Sequence, residues 1–285
     1  MRHALLAAGA RHDLSKVFLS LSVAIEFHVR RTLQIAGTSG GVCFLDGYVY
    51  LVAGMIKRAT HSKIESDNQI EMENTNRCRI FLLSPAYAGG ERARMILSER
   101  AEFELARKLR CKGGAPIGEV FTFLSGLYFR GKVAYATAFT RPAPGIPGVF
   151  VITPTRGLVD AKTRIRLNDL REFATVDIHT DDPRYRGPIE RDARMLANKL
   201  PPRSEIILLG SIATGKYVNV LLASFGDRLR FPVDFVGRGD MSRGGLMLRC
   251  AVDRRELPYI AVAGAIVNGK RPPKLAPRRY QTILE

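Results

Sequence analysis

The architecture is most clearly indicated by residues 206–217, which read Ile206-Ile-Leu-Leu-Gly-Ser-Ile-Ala-Thr-Gly-Lys-Tyr217. Four apolar residues lead directly into Gly210, a short polar turn follows, and apolar residues recur at helical spacing after Tyr217. This order predicts a buried strand, a tight loop and a helix. Ligands of open α/β sheets bind at the carboxyl ends of such strands, so the loop is a candidate site.

Two other apolar runs have the same form. Strands are predicted at residues 80–83 and 149–152, which end in Ser84 and in Thr153-Pro-Thr-Arg156, and an edge strand is predicted at residues 229–231. Amphipathic helical segments lie between the strands, including residues 133–139 and 189–200. The alternation predicts a three-layer α/β sandwich with a mainly parallel central sheet. In such a sheet the polar strand ends share one rim.

The chain divides by composition into three parts. Residues 72–265 form the predicted α/β domain, and residues 266–285 form a basic, proline-punctuated tail. Residues 1–71 contain a possible helix at residues 14–27, a possible hairpin at residues 42–53 and part of a polar linker at residues 61–76. Two interpretations of this first part stay open: an accessory subdomain, or an extension that precedes a true start at Met72.

The charge balance favours acidic partners. Lys and Arg number 44 against 27 acidic residues, which gives a formal net charge of +17. A surface of this kind attracts polyanions by counterion release and electrostatic steering. The sequence therefore predicts nucleic acid or a nucleotide as a partner, although a solvated basic surface explains the charge equally well.

Cysteine spacing and hydropathy argue against a metal-binding, a disulfide-stabilised or a membrane-spanning protein. The four cysteines, Cys43, Cys78, Cys111 and Cys250, are scattered and form no paired metal-binding motif or disulfide framework. The longest mostly apolar run, residues 42–56, contains Asp46 and is too short to cross a bilayer. We therefore predict a cytoplasmic protein with no membrane partner, no metal and no cofactor, and the sequence leaves its oligomeric state open.

Small, hydroxyl-bearing and basic residues at the predicted rim form the candidate phosphate-binding set. Glycines permit close backbone approach to an anion, and each arginine can hold a phosphate with two N–H groups. The set is Ser84, Thr153, Thr155, Arg156, Gly157, Gly210, Ser211, Lys216, Arg238, Asp240, Ser242 and Arg243. A glycine-rich connection with a structural Asp–Arg pair is the alternative interpretation of residues 237–245. If the residues bind a ligand, Arg238→Ala and Arg243→Ala should abolish binding and leave the melting temperature nearly unchanged.

Aromatic and acidic residues supply the remaining candidates. Tyr128 and Phe129 are predicted to stack on bases beside Arg130 and Lys132, which would contact phosphate; a core position for the two rings is the alternative. Asp240 and Glu119 are the candidate catalytic acids or bases, since Glu119 precedes apolar residues that would raise its pKa.

The order of these segments resembles a group of poorly characterised bacterial α/β proteins and a domain that accompanies some deazaguanine-modifying transfer-RNA enzymes. The resemblance covers about residues 79–245. It depends on short motifs, namely Leu82-Leu-Ser84, Leu127-Tyr-Phe129, Ala134-Tyr-Ala136, Ile152-Thr-Pro-Thr-Arg-Gly-Leu-Val159, Arg191-Asp192, Leu208-Leu-Gly210 and Tyr217. It implies a three-layer α/β fold with a connection to nucleotides or nucleic acid.

Three functions remain open on the sequence alone. The first is a nucleotide- or nucleic-acid-binding protein that acts on a nucleobase or glycosidic bond. The second is a hydrolase or transferase acting on a small anionic metabolite, and the third is a non-catalytic interaction module. Whether the protein is an enzyme is not decided by the sequence.

Overall fold

The computed structural model describes residues 77–213, 215–265 and 269–277 of the chain. The predicted helix at residues 14–27, the hairpin at residues 42–53, the linker before residue 77 and the start at Met72 lie outside the described residues.

A six-stranded mixed sheet forms the centre of the described domain. Its strands are β1 (Arg79–Leu83), β3 (Val149–Ile152), β4 (Leu158–Asp160), β6 (Glu205–Leu209), β7 (Leu229–Pro232) and β8 (Tyr259–Ala261), in the spatial order β4-β3-β1-β6-β7-β8. The four central strands are mutually parallel, and β4 and β8 pair antiparallel at the two edges. A small antiparallel sheet joins β2 (Ala115–Pro116) and β5 (Arg164–Ile165).

Eight α-helices lie among the described residues. They are α1 (Glu91–Leu97), α2 (Glu104–Arg110), α3 (Ile117–Ser125), α4 (Leu127–Phe139), α5 (Leu167–Phe173), α6 (Pro183–Lys199), α7 (Val218–Phe225) and α8 (Asp240–Val252). Short 3₁₀ turns follow α7 at Gly226–Arg228 and β7 at Val233–Phe235.

Alternating side chains of the strands divide the core between the two faces of the sheet. Phe81 and Leu83 of β1 pack with residues of α3, α4 and α8, whereas Ile80 and Leu82 pack with residues of α6 and α7. This is the period of two that a buried strand imposes. The predicted α/β sandwich with a mainly parallel central sheet is confirmed.

Two predicted helix boundaries and one predicted strand position differ from the structure. Helix α4 begins at Leu127 and not at residue 133, because the run from Leu127 places apolar residues on the buried face from its first turn. Helix α6 begins at Pro183 and not at residue 189, because the Asp182 side chain accepts a hydrogen bond from Arg184 N at 2.9 Å and a proline suits the first helical position.

The third difference concerns the strand predicted at residues 229–231. Strand β7 is not an edge strand, because β8 pairs with it and covers its outer side. The partner comes from about thirty residues further along the chain, a separation that local patterning does not reveal.

Candidate functional site

Adjacent strands β1 and β6 end at the point where the strand order reverses. From β1 the chain crosses to β3 through helices α1–α4, which pack on one face of the sheet. From β6 it crosses to β7 through α7, which packs on the other face. Loops that leave adjacent parallel strands in opposite directions open a crevice, which is the usual ligand site of this architecture. Ser84 and Gly210 are the first residues beyond these two strands.

A pocket of about 580 Å³ lies at this position, and we call it the switch-point pocket. Its wall is formed by residues 84–89, Pro154, Phe173, Ala174, residues 176–179, Lys216 and Tyr217. The volume falls within the range of roughly 300–1,000 Å³ that is typical of small-molecule sites. Of the predicted site residues, the pocket therefore brings together Ser84 and Lys216.

The side chain of Lys132 reaches the pocket residue Ser84 from within the core. Lys132 lies on α4 and is 1 % exposed, and its Nζ is 2.6 Å from Ser84 Oγ and 3.0 Å from the Ser84 carbonyl oxygen. Tyr128 lies one helical turn before Lys132, and the centroid of its ring is 4.0 Å from Lys132 Nζ. No carboxylate oxygen among the described residues lies within 4 Å of this amine.

Burial changes the protonation of this lysine. Removal from water disfavours the ammonium ion and lowers the pKa of Lys132 to about 7, against an ordinary value of 10.5. The charge of Asp240 opposes this shift and that of Arg243 adds to it. In a substantial fraction of the molecules, Lys132 is therefore a neutral amine at physiological pH.

Tyr217 is the third polar group at the end of β1. Its hydroxyl oxygen accepts a hydrogen bond from Ser211 N at 3.1 Å and lies beside Ser84. Burial raises the pKa of Tyr217, so the phenol keeps its proton at neutral pH. Gly210 makes this arrangement possible, because a Cβ atom there would lie 2.7 Å from Ser84 Cβ and 2.9 Å from the Tyr217 hydroxyl oxygen.

The other candidates at the end of β3 are held by internal contacts. Thr153 is buried, and its hydroxyl donates to the Gly157 carbonyl at 3.0 Å and accepts from Arg156 N at 3.0 Å. Arg156 forms ion pairs with Asp169 and Glu172, and Thr155 donates to Glu172. Gly157, with φ +62°, turns the chain into β4. These residues stabilise the β3–β4 turn in the described structure.

The stretch at residues 237–245 is mostly helical and is not an open cradle. Asp240 begins α8, and Ser242 and Arg243 lie in its first turns. Arg238 donates to the Asp234 carbonyl at 2.9 Å, and Arg243 donates to the Phe235 carbonyl at 2.9 Å. Both guanidinium groups therefore secure the chain before the helix.

The glycines of this stretch serve packing where α8 crosses α4. A Cβ atom at Gly244 would lie 2.8 Å from the Leu127 carbonyl oxygen, and one at Gly131 would lie 2.6 Å from the Gly244 carbonyl oxygen. The close crossing brings α8, with Asp240 and Arg243, near Lys132.

The predicted stacking and catalytic residues occupy other positions. Tyr128 is 7 % exposed and Phe129 is fully buried, so neither ring is accessible to a base in this conformation. Glu119 is exposed on α3 and lies 3.5 Å from Lys108 Nζ, which corrects the apolar setting expected from its neighbours in sequence. Asp240 is exposed, 3.7 Å from Arg243 Nη1.

The pairing of Lys132 with Ser84 was not anticipated from the sequence, which assigned Lys132 to phosphate contact. A local signal exists, since Lys132 stands between Tyr128 and Ala136 at helical spacing on the apolar face of α4. A lysine in such a position is buried, but its partner depends on the tertiary fold.

None of the helices among the described residues combines the length and apolar character needed to cross a membrane. The same residues contain no group of three or more His, Cys, Asp or Glu side chains placed to hold a metal ion. Comparison of the chain with models of protein families, with curated proteins and with solved structures gave no match.

Proposed function

We propose that the α/β domain binds a small anionic metabolite of about nucleotide size in the switch-point pocket. The observation that carries the proposal is the position of Lys216, an exposed cation on the pocket wall just beyond β6. No carboxylate of the described residues lies within 4 Å of its amine, so its charge is available to a ligand.

The rest of the wall suits a partly apolar ligand. Phe173, Val176 and Ile178 contribute apolar surface, and the aromatic residue Tyr87 is 74 % exposed beside it. A pocket with mostly apolar walls and a few polar groups is the usual form of a small-molecule site. A nucleotide combines a flat apolar group with a charged phosphate, and a carboxylate-bearing metabolite shares that charge.

Internal contacts make a small ligand a better proposal than a polymer. Arg156, Arg238 and Arg243, three of the arginines expected to contact phosphate, are engaged with acids or carbonyl groups of the domain. Tyr128 and Phe129 are enclosed in the core. The net charge of +17 still favours anions of either kind in the neighbourhood of the protein.

Isothermal titration calorimetry of the full chain tests the proposal. Nucleoside mono- and triphosphates should bind with an affinity that survives moderate salt, whereas the unphosphorylated nucleosides should bind more weakly. Lys216→Ala should weaken phosphate-dependent binding about tenfold, the loss of roughly 1.4 kcal/mol. Lys112→Ala removes the same charge from an exposed position outside the pocket and is the matched control.

The outcomes separate the candidate functions. Equal weakening by the two lysine variants would mean that the pocket does not hold the anion. Binding of RNA or DNA alone, lost as salt rises, would replace the proposal with electrostatic attachment to nucleic acid.

A further inference from the structure

The buried amine of Lys132 has no role in holding an anion at Lys216, yet it contacts a hydroxyl on the wall of the same pocket. We propose that Ser84 is a nucleophile and Lys132 its general base, and that the domain transfers an acyl group from its ligand. The chemistry assigned to Ser84 is independent of the ligand's identity, but the substrate class rests on the proposed function: a carboxylic ester or amide of an anionic metabolite.

The geometry is that of a nucleophile and its base. Lys132 Nζ lies 2.6 Å from Ser84 Oγ, within hydrogen-bond distance. A neutral amine has two N–H groups and one lone pair. One N–H group can donate to the Ser84 carbonyl oxygen at 3.0 Å while the lone pair accepts the Ser84 hydroxyl proton.

The surroundings allow the amine to act as a base near neutral pH. Burial lowers the pKa of Lys132 to about 7, in the range where a base is both deprotonated and strong enough to accept a proton. The charged groups that influence it are Asp240 and Arg243 of α8, with opposite effects. The Tyr128 ring lies on one side of the amine, and the Tyr217 hydroxyl lies beside Ser84.

The reaction balances without a further reactant. Ser84 Oγ attacks the acyl carbon, its proton passes to Lys132, and the bond from carbon to the leaving alcohol or amine breaks as the leaving group takes that proton. Water then attacks the acyl-serine, gives a proton to Lys132, and releases the carboxylic acid as Ser84 Oγ recovers a proton. A second alcohol or amine in place of water makes the same sequence a transfer.

Tyr217 is suited to assist this reaction as a hydrogen-bond donor. Its oxygen already accepts from Ser211 N, and burial raises its pKa, so the phenolic proton remains available. Since Tyr217 lines the pocket next to Ser84, we expect its hydroxyl to donate to the negative charge that develops on the attacked carbonyl oxygen or on the leaving group.

A purely structural role for Lys132 makes different predictions. In that case the amine would only satisfy the carbonyl oxygen at the end of β1, and Ser84 would react no faster than other serines. A buried amine is a costly way to provide one donor, because the cation must be desolvated or neutralised. The distinction can be measured as the reactivity of the Ser84 hydroxyl.

Labelling of the full chain with an alkyl fluorophosphonate tests the proposal without knowledge of the substrate. The probe phosphorus forms a bond to Ser84 Oγ as its bond to fluorine breaks, and the proton passes to Lys132. We expect peptide mass spectrometry to find the adduct on Ser84. Lys132→Met should slow labelling by about 100-fold or more. Ser98→Ala removes the hydroxyl of an exposed serine outside the pocket and should leave the rate nearly unchanged.

The pH dependence of the unmodified protein provides a second test that does not require a folded variant. The labelling rate should rise about tenfold per pH unit below pH 7 and become level above it, because the reactive form requires neutral Lys132. No adduct on Ser84 in the folded chain, labelling of Lys132→Met at the unmodified rate, or a rate that keeps rising with pH would each overturn the proposal. Calorimetry with nucleotides is unaffected by these results, so failure of the proposed binding function is observed separately.

Discussion

Lys132 Nζ lies 2.6 Å from Ser84 Oγ, although the two residues are 48 positions apart in the chain. The apolar face of α4 carries the amine through the core to the carboxyl end of β1. There it contacts the hydroxyl group of Ser84, the first residue beyond β1. Because the contact joins a core lysine to a pocket residue, it links the stability of the domain to the chemistry of its site.

Replacement of Lys132 by methionine should change the pH dependence of stability. With a pKa of about 7 in the folded chain and an ordinary value of 10.5, the unfolded chain binds more protons between those two pH values. The free energy of unfolding of the unmodified protein therefore rises with pH across this window. Lys132→Met removes this rise. The free energy of unfolding of the variant, relative to that of the unmodified protein, should therefore be greatest at pH 6–7 and about 4 kcal/mol lower by pH 10.

Urea denaturation at pH 6, 7, 8.5 and 10 measures this difference. Lys112→Met is the control, since it removes an exposed lysine and should preserve the pH dependence of the unmodified protein. A stability difference between Lys132→Met and the unmodified protein that stays constant over this range would show that Lys132 has the proton affinity of an exposed amine.

Gly210→Ala should disturb Ser84 and Tyr217 together. The added methyl group would lie 2.7 Å from Ser84 Cβ and 2.9 Å from the Tyr217 hydroxyl oxygen, so one of them must move. We expect a loss of about 1–3 kcal/mol in the free energy of unfolding, the usual cost of overpacking, together with slower labelling of Ser84.

Gly187→Ala is the matched control for that variant. A Cβ atom at Gly187 would have no neighbouring atom within 4 Å in the part of the chain that the structure describes. The residue lies within α6, where alanine is preferred by about 0.5–1 kcal/mol. Its stability should be equal or higher and its labelling unchanged. Equal behaviour of the two variants would mean that the end of β6 has room for a side chain.

Local patterning predicts the four central strands and most helices, because buried strands and amphipathic helices repeat within a few residues. The strand at residues 206–209 and the turn at Gly210 are examples, and their place beside Ser84 follows from parallel pairing. The role of Lys132 is not predictable in this way, since its partner is fixed by the packing of α4 on β1. The same limit explains β7, whose antiparallel partner β8 follows the whole of α8.

Arg243→Ala should destabilise the domain, contrary to the expectation that the sequence alone gives. The side chain is 14 % exposed and donates through Nε and Nη2 to the Phe235 carbonyl oxygen, at 3.2 and 2.9 Å. Its removal deletes both of these bonds, although the Phe235 carbonyl oxygen still accepts from Arg238 N at 3.1 Å. A hydrogen bond to a charged group contributes about 1.5–3 kcal/mol, and the remaining donor should keep the loss near the lower value. Thermal denaturation measures the change, with Arg249→Ala, in the last turn of α8, as a control. An unchanged melting temperature for Arg243→Ala would mean that these hydrogen bonds do not stabilise the domain and that Arg243 is available to bind a ligand.

At neutral pH, Glu205→Ala should cause a larger loss of stability than Gly210→Ala or Arg243→Ala. Glu205 pairs in register with Arg79 on β1, and its carboxylate accepts from Arg79 Nε at 2.8 Å and from Arg230 Nη1 at 3.2 Å. Arg79 is 6 % exposed, and when Glu205 is removed Glu256 is its one remaining acidic partner among the described residues. A buried charge that loses a partner costs about 3–5 kcal/mol, and Glu256 should reduce the loss toward the lower value.

Glu104→Ala breaks an exposed pair with Lys108 and should cause no measurable change. If urea denaturation gave equal stabilities for the two variants, the Arg79 cluster would contribute no more than a surface ion pair.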